Sequence, residues 1–207
     1  MNKPHIMLNC PDEFPDELVE KITSEIKAFK LNLQVNKIPN EPFAAIEWTI
    51  PGIIAIFVAQ SYFGGFLSEF GKDHYETLKK WLKRNAIDSR KMNVRTITAD
   101  ISTNKIDKTN TQSKAFSIYI QTADNRSLKL LFDLNLSDSI WESSIDEIIE
   151  LAYDNSKNYP NDKLTEKLTE LDKDTRNIYA IIDPKNGEWE FLDGRKLALK
   201  IKNKNFG

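Results

Sequence analysis

The sequence predicts an α+β fold, and three observations carry that expectation. Two pairs of short apolar-rich runs, the first pair alternating apolar and polar residues, flank turn sequences, which is how antiparallel hairpins read. They are residues 114–122 with 127–136 around Asp124-Asn125, and 178–182 with 188–192 around Pro184-Lys185-Asn186-Gly187. Other segments repeat apolar residues at spacings of three and four, the period of a helix with one buried face. Between the two kinds lies residues 53–59, a short β-branched run bounded by Pro51-Gly52 and Gln60-Ser61. A continuous apolar run of that length is what a strand buried on both faces looks like. The order of these signals gives an N-terminal β-α-β-β-α lobe over residues 1–90. A C-terminal antiparallel sheet covered by helices follows over 91–207. The alternative is one domain with a single sheet crossing that boundary.

Residues 5–10 read as a strand stopped by Pro11. Residues 12–30 read as a helix, with Asp12, Glu13, Asp16 and Glu17 where the helix dipole favours acids, and with Leu18, Ile22, Ile26 and Phe29 as its apolar stripe. Leu31, Leu33 and Val35 alternate with polar residues and predict a second strand over 31–35. After the buried strand at 53–59 the period becomes helical through Phe63, Phe66, Leu67, Phe70, His74, Leu78, Trp81 and Leu82. This predicts an amphipathic helix over 62–84, weakened in its first half by Gly64, Gly65 and Gly71. A connection is expected over 85–93, a strand over 94–101 and a polar, mobile loop over 103–113. Ser137 or Asp138 caps an expected helix over 137–155, whose stripe is Ile140, Trp141, Ile145, Ile148, Ile149 and Ala152. Residues 156–162 read as a linker. Residues 163–172 are helix-compatible, with Leu164, Leu168 and Leu171 to bury. The tail KLALKIKNKNFG reads as a basic strand or a frayed end.

Composition removes several function classes. The chain has 207 residues, 40% hydrophobic and 29% charged, with a net charge of -2. That is a folded chain without a global field toward nucleic acid or anionic lipid. One cysteine, Cys10, rules out an intramolecular disulfide and a cysteine-clustered zinc site. Cys10 is read as an inert buried thiol, and with only two histidines no metal site and no cofactor is expected. The N-terminus lacks a basic start and a long apolar core, so a reducing, cytoplasmic setting is expected. No phosphate-cradling loop, zinc-protease motif, calcium loop, nucleophile elbow or paired-cysteine motif is present. Residues 48–68 are uncharged over 21 positions, long enough for a membrane-spanning helix. However, Pro51-Gly52 and Gln60-Ser61 cut the continuous apolar core to strand length, so integral insertion is not expected. A peripheral membrane contact there is kept as an alternative.

Three groups of residues are candidates for function. Asp73, His74 and Tyr75 place an acid, a base and a phenol together. On a helix Asp73 and His74 point about 100° apart, so His74 needs a partner from another element to act catalytically. Gln60, Ser61, Tyr62, Gly64 and Gly65 sit where the buried strand ends, and adjacent glycines there admit a ligand or another backbone. Two charge runs form the third group. Residues 72–95 hold eight basic residues against three acidic, and residues 133–154 hold seven acidic and no basic. Their interaction candidates are Lys79, Lys80, Lys83 and Arg84, and Glu142, Asp146, Glu147 and Glu150. The runs either face one another within the fold or each serve a partner of opposite sign. The leading functional expectation is a non-enzymatic protein-interaction or regulatory, inhibitory module using the acidic face, with another protein as its partner. One alternative is an enzyme or sensor with a pocket near Gly64-Gly65 and His74. Another is a membrane-associated effector using residues 48–68.

Overall fold

A computed structural model of the chain describes residues 4–27, 31–39, 52–67, 71–92 and 111–204. The fold is α+β, built on a seven-stranded mixed sheet in the order β2-β1-β3-β4-β5-β6-β7. The strands are β1 (Ile6–Pro11), β2 (Leu33–Ile38), β3 (Ile54–Val58), β4 (Phe116–Gln121), β5 (Ser127–Leu131), β6 (Asn177–Ile182) and β7 (Trp189–Leu192). β1/β2, β3/β4 and β5/β6 are parallel pairs, and antiparallel contacts join one pair to the next. β7 closes the edge as an antiparallel hairpin with β6.

Parallel neighbours need a crossover rather than a tight turn, and helices supply each one. Helix α1 (Asp16–Lys27) joins β1 to β2. A π-turn (Tyr62–Phe66) and α2 (Lys72–Ser89) lie between β3 and β4, and α3 (Asp138–Asn158) with α4 (Lys163–Lys167) between β5 and β6. Helix α5 (Gly194–Lys204) follows β7. Strand register sorts the side chains into two faces. Leu8, Ile56, Ile118, Leu130, Ala180 and Phe191 form one row across six strands. That row meets the buried residues of α1, α2, α3 and α4, among them Ile22, Trp81, Ile145 and Leu164. Three buried indoles each satisfy their N–H on a backbone carbonyl of another element, as buried tryptophans must. Trp81 donates to Ile22 O at 2.6 Å, Trp141 to Asp133 O at 3.0 Å and Trp189 to Ser144 O at 2.7 Å.

β3 has neighbours on both sides, and Ile54, Ala55, Ile56 and Val58 are at most 1% exposed. Its uncharged, β-branched sequence therefore marks a central strand. The Asp124-Asn125 turn also forms as read, with Asn125 at φ 62. Ser137 caps α3, its side chain accepting from Ile140 N. The sheet runs unbroken past residue 90, because β3 pairs directly with β4.

Elsewhere the structure differs from the sequence reading. Helix α1 begins at Asp16, not Asp12. Pro15 bars a helical Phe14 before it, and the first helical amides, Leu18 N and Val19 N, bond to Pro15 O. The inward stripe is consequently Val19, Ile22 and Ile26, and Leu18 points outward. The single helix expected over 62–84 is two elements separated by Gly71, whose φ of +81 no helix accommodates. Helix α2 then runs on through the expected connection to Ser89, because Ala86 is a core residue. The C-terminal sheet is not wholly antiparallel, since the α3–α4 crossover makes β5 and β6 parallel. The tail is a helix, not a strand. Asp193 accepts Lys196 N at 2.8 Å to start it, and Leu197 and Ile201 pack against Leu131, Tyr179, Ile181 and Leu192. The strand expected over 94–101 lies outside the described residues, as does most of the loop over 103–113.

Replacing Ile56 tests the central strand. Ile56→Ala is expected to cost about 2–5 kcal/mol in urea unfolding, with cooperativity retained. Ile56→Asp is expected to abolish the cooperative transition, because it buries an unpaired carboxylate in mid-sheet.

Candidate functional site

Just past the end of β3 the chain leaves α-helical geometry. The amide of Leu67 bonds to Tyr62 O, closing a π-turn. Widening the turn in this way lets the consecutive aromatics Tyr62 and Phe63 both bury completely, edge to face at 5.3 Å. Tyr62 Oη donates to His74 O at 3.1 Å and so fastens the π-turn to the first turn of α2. Burial pushes the Tyr62 phenol well above its ordinary range, so it stays protonated and serves as a fixed donor. A side chain at Gly64 would meet the Gln60 amide at 3.1 Å, whereas Gly65 faces open space. Gln60 N donates to Gln121 Oε1 at 3.3 Å, and Gln121 Nε2 donates to Asn125 Oδ1 at 3.2 Å. Beside this chain, Ser61 Oγ is buried without a hydrogen-bond partner among the described residues.

The structure thus gathers Gln60, Ser61, Tyr62, Gly64 and the backbone of His74 at one corner. It does not gather Asp73, His74 and Tyr75. Asp73 is exposed, and its carbonyl accepts from Thr77 Oγ1 at 2.8 Å. Tyr75 faces α3 instead, its ring 5.5 Å from Tyr153. The corner offers a hydroxyl, amides and a committed phenol, which is the chemistry of hydrogen-bonding recognition.

The two charge runs meet across α2 and α3. Lys79 Nζ lies 3.0 Å from Glu150 and 3.4 Å from Asp146, and Lys83 Nζ lies 2.9 Å from Asp146. Lys79 is itself buried, with its ammonium 5.2 Å from the Tyr75 ring centre. Burial pulls its pKa down, but the hydrogen bond to Glu150 and the charge of Asp146 outweigh that and hold it above the ordinary value. Burial also raises the Tyr75 phenol, reinforced by Glu150. Lys157 Nζ lies 5.7 Å from the Tyr153 ring. Burial raises the Glu147 carboxyl, and the charge of Lys167 on α4 opposes that. Glu142, Lys80 and Arg84 are exposed. Further along, Arg90 ties α2 to the start of α3. It donates to Leu136 O at 2.8 Å and Leu134 O at 3.0 Å, pairs with Asp138 at 3.1 Å and lies 4.5 Å from the Trp141 ring.

One perturbed group escaped the sequence reading. Alternation in β5 marks Lys129 as a solvent-facing residue between Leu128 and Leu130, yet it is 5% exposed. It lies on the second face of the sheet, in the row Met7, Phe57, Tyr119, Lys129, Tyr179. Phe57 stacks on Tyr119 at 4.3 Å, and Lys129 Nζ lies 5.6 Å from the Tyr119 ring. Burial lowers the Lys129 amine to about 8 and raises the Tyr119 phenol to about 12. Only the neighbours Phe57, Tyr119 and Tyr179, all aromatic, hint in sequence that this face too is covered.

Cys10 is 2% exposed. Burial raises its thiol, aided by Asp12 and Asp16 and opposed by Lys37, which suits an unreactive side chain. Among the described residues no cluster of His, Cys, Asp and Glu could hold a metal ion, and no helix is long and apolar enough to cross a membrane. No family model matches the sequence, and neither a curated protein nor a solved structure matches the chain.

Lys129 makes a signed prediction about pH. Its amine binds a proton up to 10.5 when unfolded but only to about 8 when folded. Between those values the unfolded state holds more protons, so stability rises with pH across that window, and the full penalty applies below it. Lys129→Met is therefore expected to stabilise the protein at pH 7, by about 3 kcal/mol. The gain should shrink between pH 8 and 10.5 in denaturant titrations at each pH.

Proposed function

We propose that the protein is a non-enzymatic interaction module that docks another protein on its α2–α3 surface, centred on Tyr153 and Tyr75. The observation that carries this is the tyrosine pair. Tyr153 is 39% exposed and rests against Tyr75, with Lys157 over its own ring and Lys79 over that of Tyr75. Tyrosine is enriched at the centres of protein interfaces because it contributes a large, rigid, amphipathic surface at small entropic cost. The charges around it support recognition of a different kind from a bare acidic face. Asp146 and Glu150 are matched by Lys79 and Lys83, so they add little long-range attraction. Glu142, Lys80 and Arg84 belong to the polar rim. A regulatory or inhibitory role fits a chain without a catalytic motif, and a cytoplasmic setting fits a lone buried thiol.

A second reading, a sensor or enzyme at the β3 corner, draws on the buried hydroxyl of Ser61 beside the π-turn and Gly64-Gly65. π-turns recur at functional sites. The membrane reading of residues 48–68 draws less support, because Ile54–Val58 is committed to the middle of the sheet.

Tandem-affinity capture followed by titration of the purified partner tests the proposal. Tyr153→Ala should weaken binding by about tenfold or more with an unchanged melting temperature, and raising salt should weaken binding only slightly. Equal affinity of Tyr153→Ala and the parent protein would overturn it. Loss of binding confined to Ser61→Ala would favour the β3 corner.

A further inference from the structure

We propose that α5 lays the protein on an anionic membrane surface, with Arg195 and Lys196 meeting acidic lipid headgroups and Leu199 entering the interface between them. This surface is separate from the α2–α3 face and does not depend on it. Helix α5 carries Arg195, Lys196, Lys200, Lys202 and Lys204 and no acidic residue, in a chain whose net charge is -2. This helix therefore carries a local excess of positive charge. Its inward side is already used, since Leu197 and Ile201 pack on the second face of the sheet. Lys200 is paired with Glu190. Outward, Arg195 and Lys196 are exposed and have no ion pair among the described residues. Leu199 stands four residues after Arg195 and three after Lys196, so all three share one side of the helix.

Leu199 is 60% exposed, more than any other large hydrophobic residue described. An exposed leucine among cations gains nothing against a phosphate backbone in water, but it gains burial at a bilayer boundary. That asymmetry favours lipid over nucleic acid. Clusters of basic residues on an amphipathic helix recognise acidic lipids by charge, with weak, reversible and salt-sensitive binding. Docking through α5 would leave α1, α2, α3 and α4, which lie on the opposite face of the sheet, turned away from the membrane.

Co-sedimentation of the full chain with phosphatidylcholine vesicles, with and without phosphatidylserine, tests this. Binding is expected only with phosphatidylserine. It should fall by about tenfold in the Arg195→Glu/Lys196→Glu variant, and should also fall in Leu199→Ser, which changes no charge. Circular dichroism should show both variants folded. Equal binding to neutral vesicles, or indifference to both substitutions, would overturn the proposal. So would binding to a duplex oligonucleotide that the charge variant abolishes and Leu199→Ser leaves intact.

Discussion

Ile54–Val58 is bonded to β1 on one side and to β4 on the other, and most of the remaining structure depends on that position. Ile56 stands opposite both Leu8 and Ile118, so a single residue links the N-terminal strand to one from the middle of the chain. Parallel pairing of β3 with β4 requires the intervening chain to cross one face of the sheet, which brings α2 against the core. Once α2 is there, Trp81 can reach Ile22 in α1, and Lys79 and Lys83 can reach α3. The helical layer and its ion pairs are in this sense consequences of where one five-residue strand sits.

The same arrangement separates the two surfaces for which a function is proposed. The helical layer exposes Tyr153 amid matched charges on one side of the sheet. On the other, α5 presents Arg195 and Lys196, which have no ion pair among the described residues, beside Leu199. Matched charge contributes little field and leaves recognition to shape and aromatic contact, whereas unmatched charge acts through attraction to an anionic surface. A chain of nearly neutral net charge can carry both because its charges are unevenly placed.

Much of this was legible in the sequence where the physics is local. β3 announced itself because a strand buried on both faces seldom carries charge. The 116–131 hairpin did so because alternation and an Asp-Asn turn lie within a few residues of each other. The cap at Ser137 is equally local. What stayed hidden depended on distant contacts. Whether Asp146 and Glu150 face solvent or Lys79 and Lys83 is set by the docking of α2 on α3. The parallel register of β5 and β6 is set by a crossover rather than a turn. The burial of Lys129 was not legible because alternation identifies one covered face and is silent about the other. Of the candidate site, the Gln60–Gly64 corner was readable from its polar break and glycines. The contact of Tyr75 with Tyr153 followed only once α3 was in place. The helical tail was missed because its apolar spacing, Leu197 to Ile201, is a single repeat.

Hydrogen exchange resolved along the chain tests most directly whether the sheet is one cooperative unit organised by β3. If it is, the amides of Ile54–Val58 and Phe116–Gln121 should exchange together, as the slowest set, with the protection of global unfolding. Fast exchange of Ile54–Val58 while Phe116–Gln121 and Ser127–Leu131 stay protected would contradict it, because the first three strands would then open without disturbing the rest.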